Sequence, residues 1–112
     1  MSYDMSFWKQ KTEIKKTNNE IYRILSGGEE IDGLCELPVS DIRNDFETVF
    51  KSWSISKNVF EKENQYFELM LKKQFVRVDC YGVEIQYLNA IIDIMLKYDC
   101  PFYDASIDTR FN

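Results

Sequence analysis

A chain of 112 residues, 45% apolar and with its charges interspersed, has the make-up of one globular domain with one core, which excludes a multidomain enzyme and a disordered tail. Fourteen basic against nineteen acidic side chains leave a net charge of −5, so a phosphate backbone is repelled and no nucleic-acid partner is expected. The composition contains no histidine, which removes every Ser-His-Asp or Cys-His relay and the usual general base near neutral pH.

In chain order, Phe7, Ile14, Ile21 and Leu25 recur at spacings of seven and four, with Trp8 and Tyr22 beside them, which predicts a helix through the opening third. Thr17-Asn18-Asn19-Glu20 matches a capping box, so that helix either runs through or breaks and restarts near Thr17. Ser26-Gly27-Gly28 stops it. Residues 26–39 read as a loop with at most a short strand near Leu34–Leu37. Ser40 or Asp41 caps a second helix, with the apolar stripe Ile42, Phe46, Val49, Phe50 and Trp53 opposite Asp41, Asp45 and Thr48.

From residue 53 to 81 the apolar period falls to two: Ile55 and Val59, then Phe67, Leu69 and Leu71, then Val76, Val78 and Cys80. Turns at 61–64 and 72–74 make this an antiparallel meander. Gly82 marks a corner before a third helix over 83–98, striped by Ile85, Leu88, Ile91, Ile92, Met95 and Leu96. Pro101 ends that helix, and Phe102, Tyr103 and Phe111 carry enough apolar area to make the tail an ordered arm that latches onto the sheet or core. The order α-α-β-β-β-α-(β) defines an α+β fold, a three- to four-stranded antiparallel meander packed against helices, with residues 1–112 as one domain.

The chemistry-bearing residues are few. Cys35, Cys80 and Cys100 are widely spaced without a CxxC, and read as reduced thiols rather than metal ligands. Cys100, beyond a helix C-terminus and between Asp99 and Asp104, is poorly placed for a nucleophile. The glycines of 27–33 lack a phosphate-loop pattern and lie beside Glu29 and Glu30. Asp41 with Asp45, and Asp104 with Asp108, are paired acids in polar surroundings and are expected to be solvated rather than catalytic. No cofactor and no metal are expected. No uncharged run approaches the roughly 18 residues of a membrane span, and residues 1–25 carry Lys and Glu throughout, unlike a signal peptide. No membrane partner is expected, and the expected location is cytoplasmic.

One segment dominates the electrostatics. Residues 26–50 hold Glu29, Glu30, Asp32, Glu36, Asp41, Asp45 and Glu47 against Arg43 alone. Such a stretch attracts and steers a basic protein partner, and Glu29, Glu30, Asp32, Glu36, Asp41 and Asp45 are the expected contact set. The stretches "FVRVDCYG", "LNAIIDIML" and "YDCPFYD…TRF" resemble the C-terminal half of small bacterial α+β proteins, and the size, acidity and absence of catalytic residues resemble small acidic immunity proteins of bacterial polymorphic and contact-dependent toxin systems. That resemblance implies a non-enzymatic cytoplasmic protein that binds and blocks a cognate toxin domain. The alternatives are a homodimeric structural or accessory protein, or a small enzyme using carboxylates or Tyr.

Overall fold

The computed structural model describes residues 2–111. Its elements are β1 (Ser2–Phe7), α1 (Asn18–Ser26), α2 (Val39–Val49), β2 (Ser54–Ser56), β3 (Val59–Lys62), β4 (Gln65–Leu71), β5 (Val76–Tyr81), α3 (Ile85–Leu96), β6 (Phe102–Asp104) and β7 (Thr109–Phe111). The class is α+β, as expected. The sheet is larger than expected: seven strands in the order β2-β3-β4-β5-β1-β6-β7, each antiparallel to its neighbours.

Residues 2–7 form a strand where the spacing of seven predicts helix. Tyr3, Met5 and Phe7 alternate with Asp4 and Ser6, and pairing with β5 from Ser2↔Tyr81 to Phe7↔Val76 satisfies the backbone. The helix begins at the capping box instead. The Thr17 hydroxyl accepts from the Glu20 amide at 3.1 Å, and the Glu20 carboxylate accepts from the Thr17 amide at 3.0 Å. Gly27 caps α1 in a right-handed conformation, and Gly28 supplies the left-handed turn at φ 89°. Near Leu34, the expected short strand is a single bridge from Leu34 to Gln10.

Pro38, rather than Ser40 or Asp41, stands at the N-cap of α2, without a side-chain cap. The meander splits once more than its period shows. Lys57 at φ 55° turns β2 into β3, and Glu63 at φ 55° turns β3 into β4, so Glu61 and Lys62 belong to a strand. At the glycine-free turn, Lys72 and Phe75 exchange backbone hydrogen bonds of 2.8 and 3.3 Å, which closes the β4–β5 hairpin. The expected latch is present: β6 pairs with β1 through Ser6↔Tyr103 and Phe7↔Phe102, and β7 folds back on β6.

The two faces of the sheet carry different cores. Under α2 and α3, Met5, Phe7, Phe60, Phe67, Leu69, Val76, Val78 and Cys80 pack against Ile42, Phe46, Phe50, Ile91, Ile94 and Met95. On the other face, Trp8, Phe75 and Tyr103 pack against Ile21 and Leu25 of α1 and against Ile31 and Leu34 of the loop after it. The remainder of that second face mixes Asp4, Glu68, Arg77 and Asp79 with Val59, Met70 and the Tyr66–Tyr81 pair. The helical stripes are wider than the core they cover. Val49 is 51% exposed, Ile85 75% and Leu96 50%, although their spacing places each on an apolar stripe.

Candidate functional site

The acidic segment is fastened from behind. Ile31 is buried in the second core, and the Gln74 side chain clamps its backbone, accepting from the Ile31 amide at 2.8 Å and donating to its carbonyl at 3.0 Å. Two residues on, Gly33 has φ +99°, and a Cβ there would lie 2.7 Å from the Thr12 hydroxyl oxygen. The Gly33 carbonyl accepts from Lys11 N at 2.9 Å, and Cys35 N donates to the Lys9 carbonyl at 2.8 Å. The loop is therefore tied to the chain after β1 on one side and to the β4–β5 turn on the other.

Its carboxylates point outward. Glu29, Glu30 and Asp32 are exposed and share a depression with Ile14, Lys15, Lys16 and Ile24. Glu36 and Asp41, also exposed, line a neighbouring depression of about 460 Å³ with Lys72 and Lys73. Glu30 approaches Lys73 at 3.8 Å, a surface pair worth little. Among the described residues, Glu29, Asp32, Glu36 and Asp41 make no ion pair. Five of the six expected contact residues thus form one margin, tempered by lysines that are distant in the chain and adjacent in space.

Asp45 stands apart, on α2 against the end of α3. It accepts from Lys97 Nζ at 3.0 Å and from the Tyr98 hydroxyl. The Tyr98 hydrogen bond, with help from Lys97, holds the Asp45 carboxyl below its usual range. Burial, then Asp45 itself, pushes the Tyr98 phenol up to about 12. Asp104, expected to be solvated, is buried, and accepts from the Tyr3 hydroxyl at 2.8 Å and from Ser106.

The open part of the second sheet face holds a second acidic feature. Glu68, Asp79 and Asp4 stand opposite one another on β4, β5 and β1, and Tyr66 and Tyr81 stack beside them with ring centroids 4.6 Å apart. Arg77 answers two of these acids, at 2.8 Å to Asp79 and 3.0 Å to Asp4. Burial raises the Asp4 carboxyl, the facing Asp79 adds to the rise, and Arg77 opposes it. This row was not legible in sequence, because its members come from three strands.

Neither buried thiol is activated. Burial pushes Cys80 up to about 12 and Cys100 to about 11, in the latter case against the pull of Lys9 and Arg110. Among the described residues, no three His, Cys, Asp or Glu side chains gather to hold a metal ion, and no helix is long and apolar enough to cross a membrane. Two apolar clefts also escaped the sequence reading. One, of about 360 Å³, lies between α2 and α3 around Val49, Ala90 and Ile94. The other, of about 400 Å³, is lined by Ile92, Leu96, Phe102 and Phe111. Comparison with family models, with curated proteins and with solved structures yields no match.

Proposed function

We propose that this chain is a non-enzymatic protein-binding module of the immunity type, which blocks a basic toxin domain in the cytoplasm through its acidic margin. The observation that carries the reading is the loop from Glu29 to Glu36, anchored by Ile31, Gln74 and Gly33, which presents Glu29, Asp32 and Glu36 without ion pairs among the described residues on a fixed backbone. A pre-ordered acidic loop loses little conformational freedom on binding and attracts a basic partner over long range. Absent histidine and unactivated thiols are in keeping with a protein that acts by occupancy.

The protein encoded beside this chain is the first partner to test. Co-expression is expected to neutralise its toxicity, and the purified pair is expected to associate at a rate that falls with salt. Replacing Glu29, Glu30 and Asp32 together by Lys should slow association at least about tenfold at low salt and flatten that salt dependence. An unchanged rate and salt slope would remove the loop from the interface. The homodimer reading has its own support in the cleft around Leu96 and Phe111, where Leu96 is 50% and Phe111 48% exposed beside the free edge of β7. Sedimentation of the isolated protein separates the two, since a tight dimer that covers the acidic margin would overturn the first.

A further inference from the structure

Resting on the reading of a basic protein partner, the geometry points to the groove between α2 and α3 as the anchor site for a basic segment that presents one large apolar side chain. The groove exists because both helices carry more apolar surface than the core absorbs. Asp45 meets Lys97 at one end, and Phe50 meets the ring of Tyr87 at the other, so α2 and α3 run antiparallel. Between those contacts Val49, Ala90 and Ile94 form an apolar floor in a space of about 360 Å³, and Val49 is 51% exposed. That is room for a side chain the size of Leu or Phe, the type of anchor on which interface energy concentrates.

The rim says what kind of segment brings that side chain. Asp45 and Asp93 flank the floor, and Asp41 lies one helical turn before Asp45 on the same helix. Among the described residues Lys97 is the one cation in the lining, and it and Asp45 offset one another, which leaves Asp93 as the lining's unbalanced charge. Asp93 is exposed and without an ion pair among the described residues, as is Asp41. The last turn of α2, which ends at Val49, carries no basic residue, and Lys51 follows just beyond the Phe50 cap. A lysine or arginine on either side of the apolar anchor would meet these groups, whereas an acidic or purely apolar segment would not. Asp41 lines the acidic margin and lies one helical turn from Asp45 of the groove, so α2 carries acids toward both.

The test is an amide-shift titration of the ¹⁵N-labelled full chain with three synthetic helical peptides: a central leucine flanked by lysines, the same peptide with glutamates, and the lysine peptide with alanine at its centre. The lysine–leucine peptide should move Thr48, Val49, Ala90, Asp93 and Ile94 most. The other two peptides, and the Val49→Lys protein, should each bind about tenfold more weakly or worse. Val49 is half exposed, so an unchanged melting temperature will show that Val49→Lys is folded. Shifts centred on 29–36, with Val49→Lys binding like the parent, would overturn the groove and leave the acidic-margin reading standing. Equal binding of lysine and glutamate peptides would overturn both. Shifts at the groove residues on concentrating the protein alone would give the groove to a second copy, and no shifts with any peptide would likewise overturn the proposal.

Discussion

Gln74 shows how little of a site's support is visible along the chain. In sequence it is the third residue of an indifferent turn; in the fold its amide holds both backbone groups of Ile31, 43 residues away. The contacts that aim Glu29, Glu30 and Asp32 were therefore invisible, while the carboxylates themselves were plain. The cysteines were more legible. Cys80 alternates with Val78 and Val76 and is buried as that alternation predicts. A helix end and acidic neighbours disfavour Cys100 as a nucleophile, and the larger cause of its raised pKa is burial. Burial and the raised pKa act together on reactivity, since a thiol reagent needs both access and a thiolate. At pH 7 to 8, a colourless-to-coloured disulfide reagent should titrate one thiol, Cys35, which is half-buried, and reach all three after denaturation. Rapid reaction of two or more thiols in the native protein would contradict the packing around Cys80 and Cys100.

At the scale of elements, local chemistry is legible along the chain and long-range pairing is not. The capping box at Thr17 was legible because all of its hydrogen bonds lie within four residues. β1 departs from the expected helix because Phe7, Ile14, Ile21 and Leu25 fit a helical spacing by coincidence, while the partners that make residues 2–7 a strand lie in β5, from Ser2↔Tyr81 to Phe7↔Val76. Alternation over six residues is weak evidence until that partner is known. Val49 and Leu96 are exposed for the opposite reason, since spacing assigns a residue to a stripe but does not say how wide a strip the sheet covers. The cap gives the elements a direct test. Thr17→Ala removes the acceptor of the Glu20 amide and should cost about 1 kcal/mol, read as a lower denaturation midpoint with an unchanged slope. Thr17→Ser should recover most of that loss, and equal stability of all three proteins would mean that α1 is held by Ile21 and Leu25 alone.

For the whole molecule, the N-terminal strand is the seam. β1 lies between β5 and β6, so the sheet is complete only when residues near both ends of the chain have come together. The C-terminal hairpin contributes to both cores at once. Phe102 packs with Phe7 on the face beneath α2 and α3, and Tyr103 packs with Trp8 and Tyr22 on the face beneath α1. Arg110 fastens the outer strand, donating to the Trp8 carbonyl at 2.7 Å with its guanidinium 4.9 Å from the Trp8 ring centre. Ending the chain at Cys100 would uncover one edge of β1 and both of those aromatic contacts, at roughly 2 kcal/mol for each buried ring. Against a total of about 5–15 kcal/mol for a domain, that loss should lower the melting temperature by well over about 10 °C. Tyr103→Ala, which keeps the hairpin's backbone but empties its place in the second core, should account for about 3–5 kcal/mol by itself. If both proteins melt with the parent, the arm is not part of the fold's stability, and its aromatic residues are free to serve as a docking segment. If Tyr103→Ala is costly and truncation costs more, the sheet depends on closing β1 between two distant parts of the chain, and α1 with its acidic loop depends on the same closure, because Trp8 and Tyr103 form the floor on which they rest.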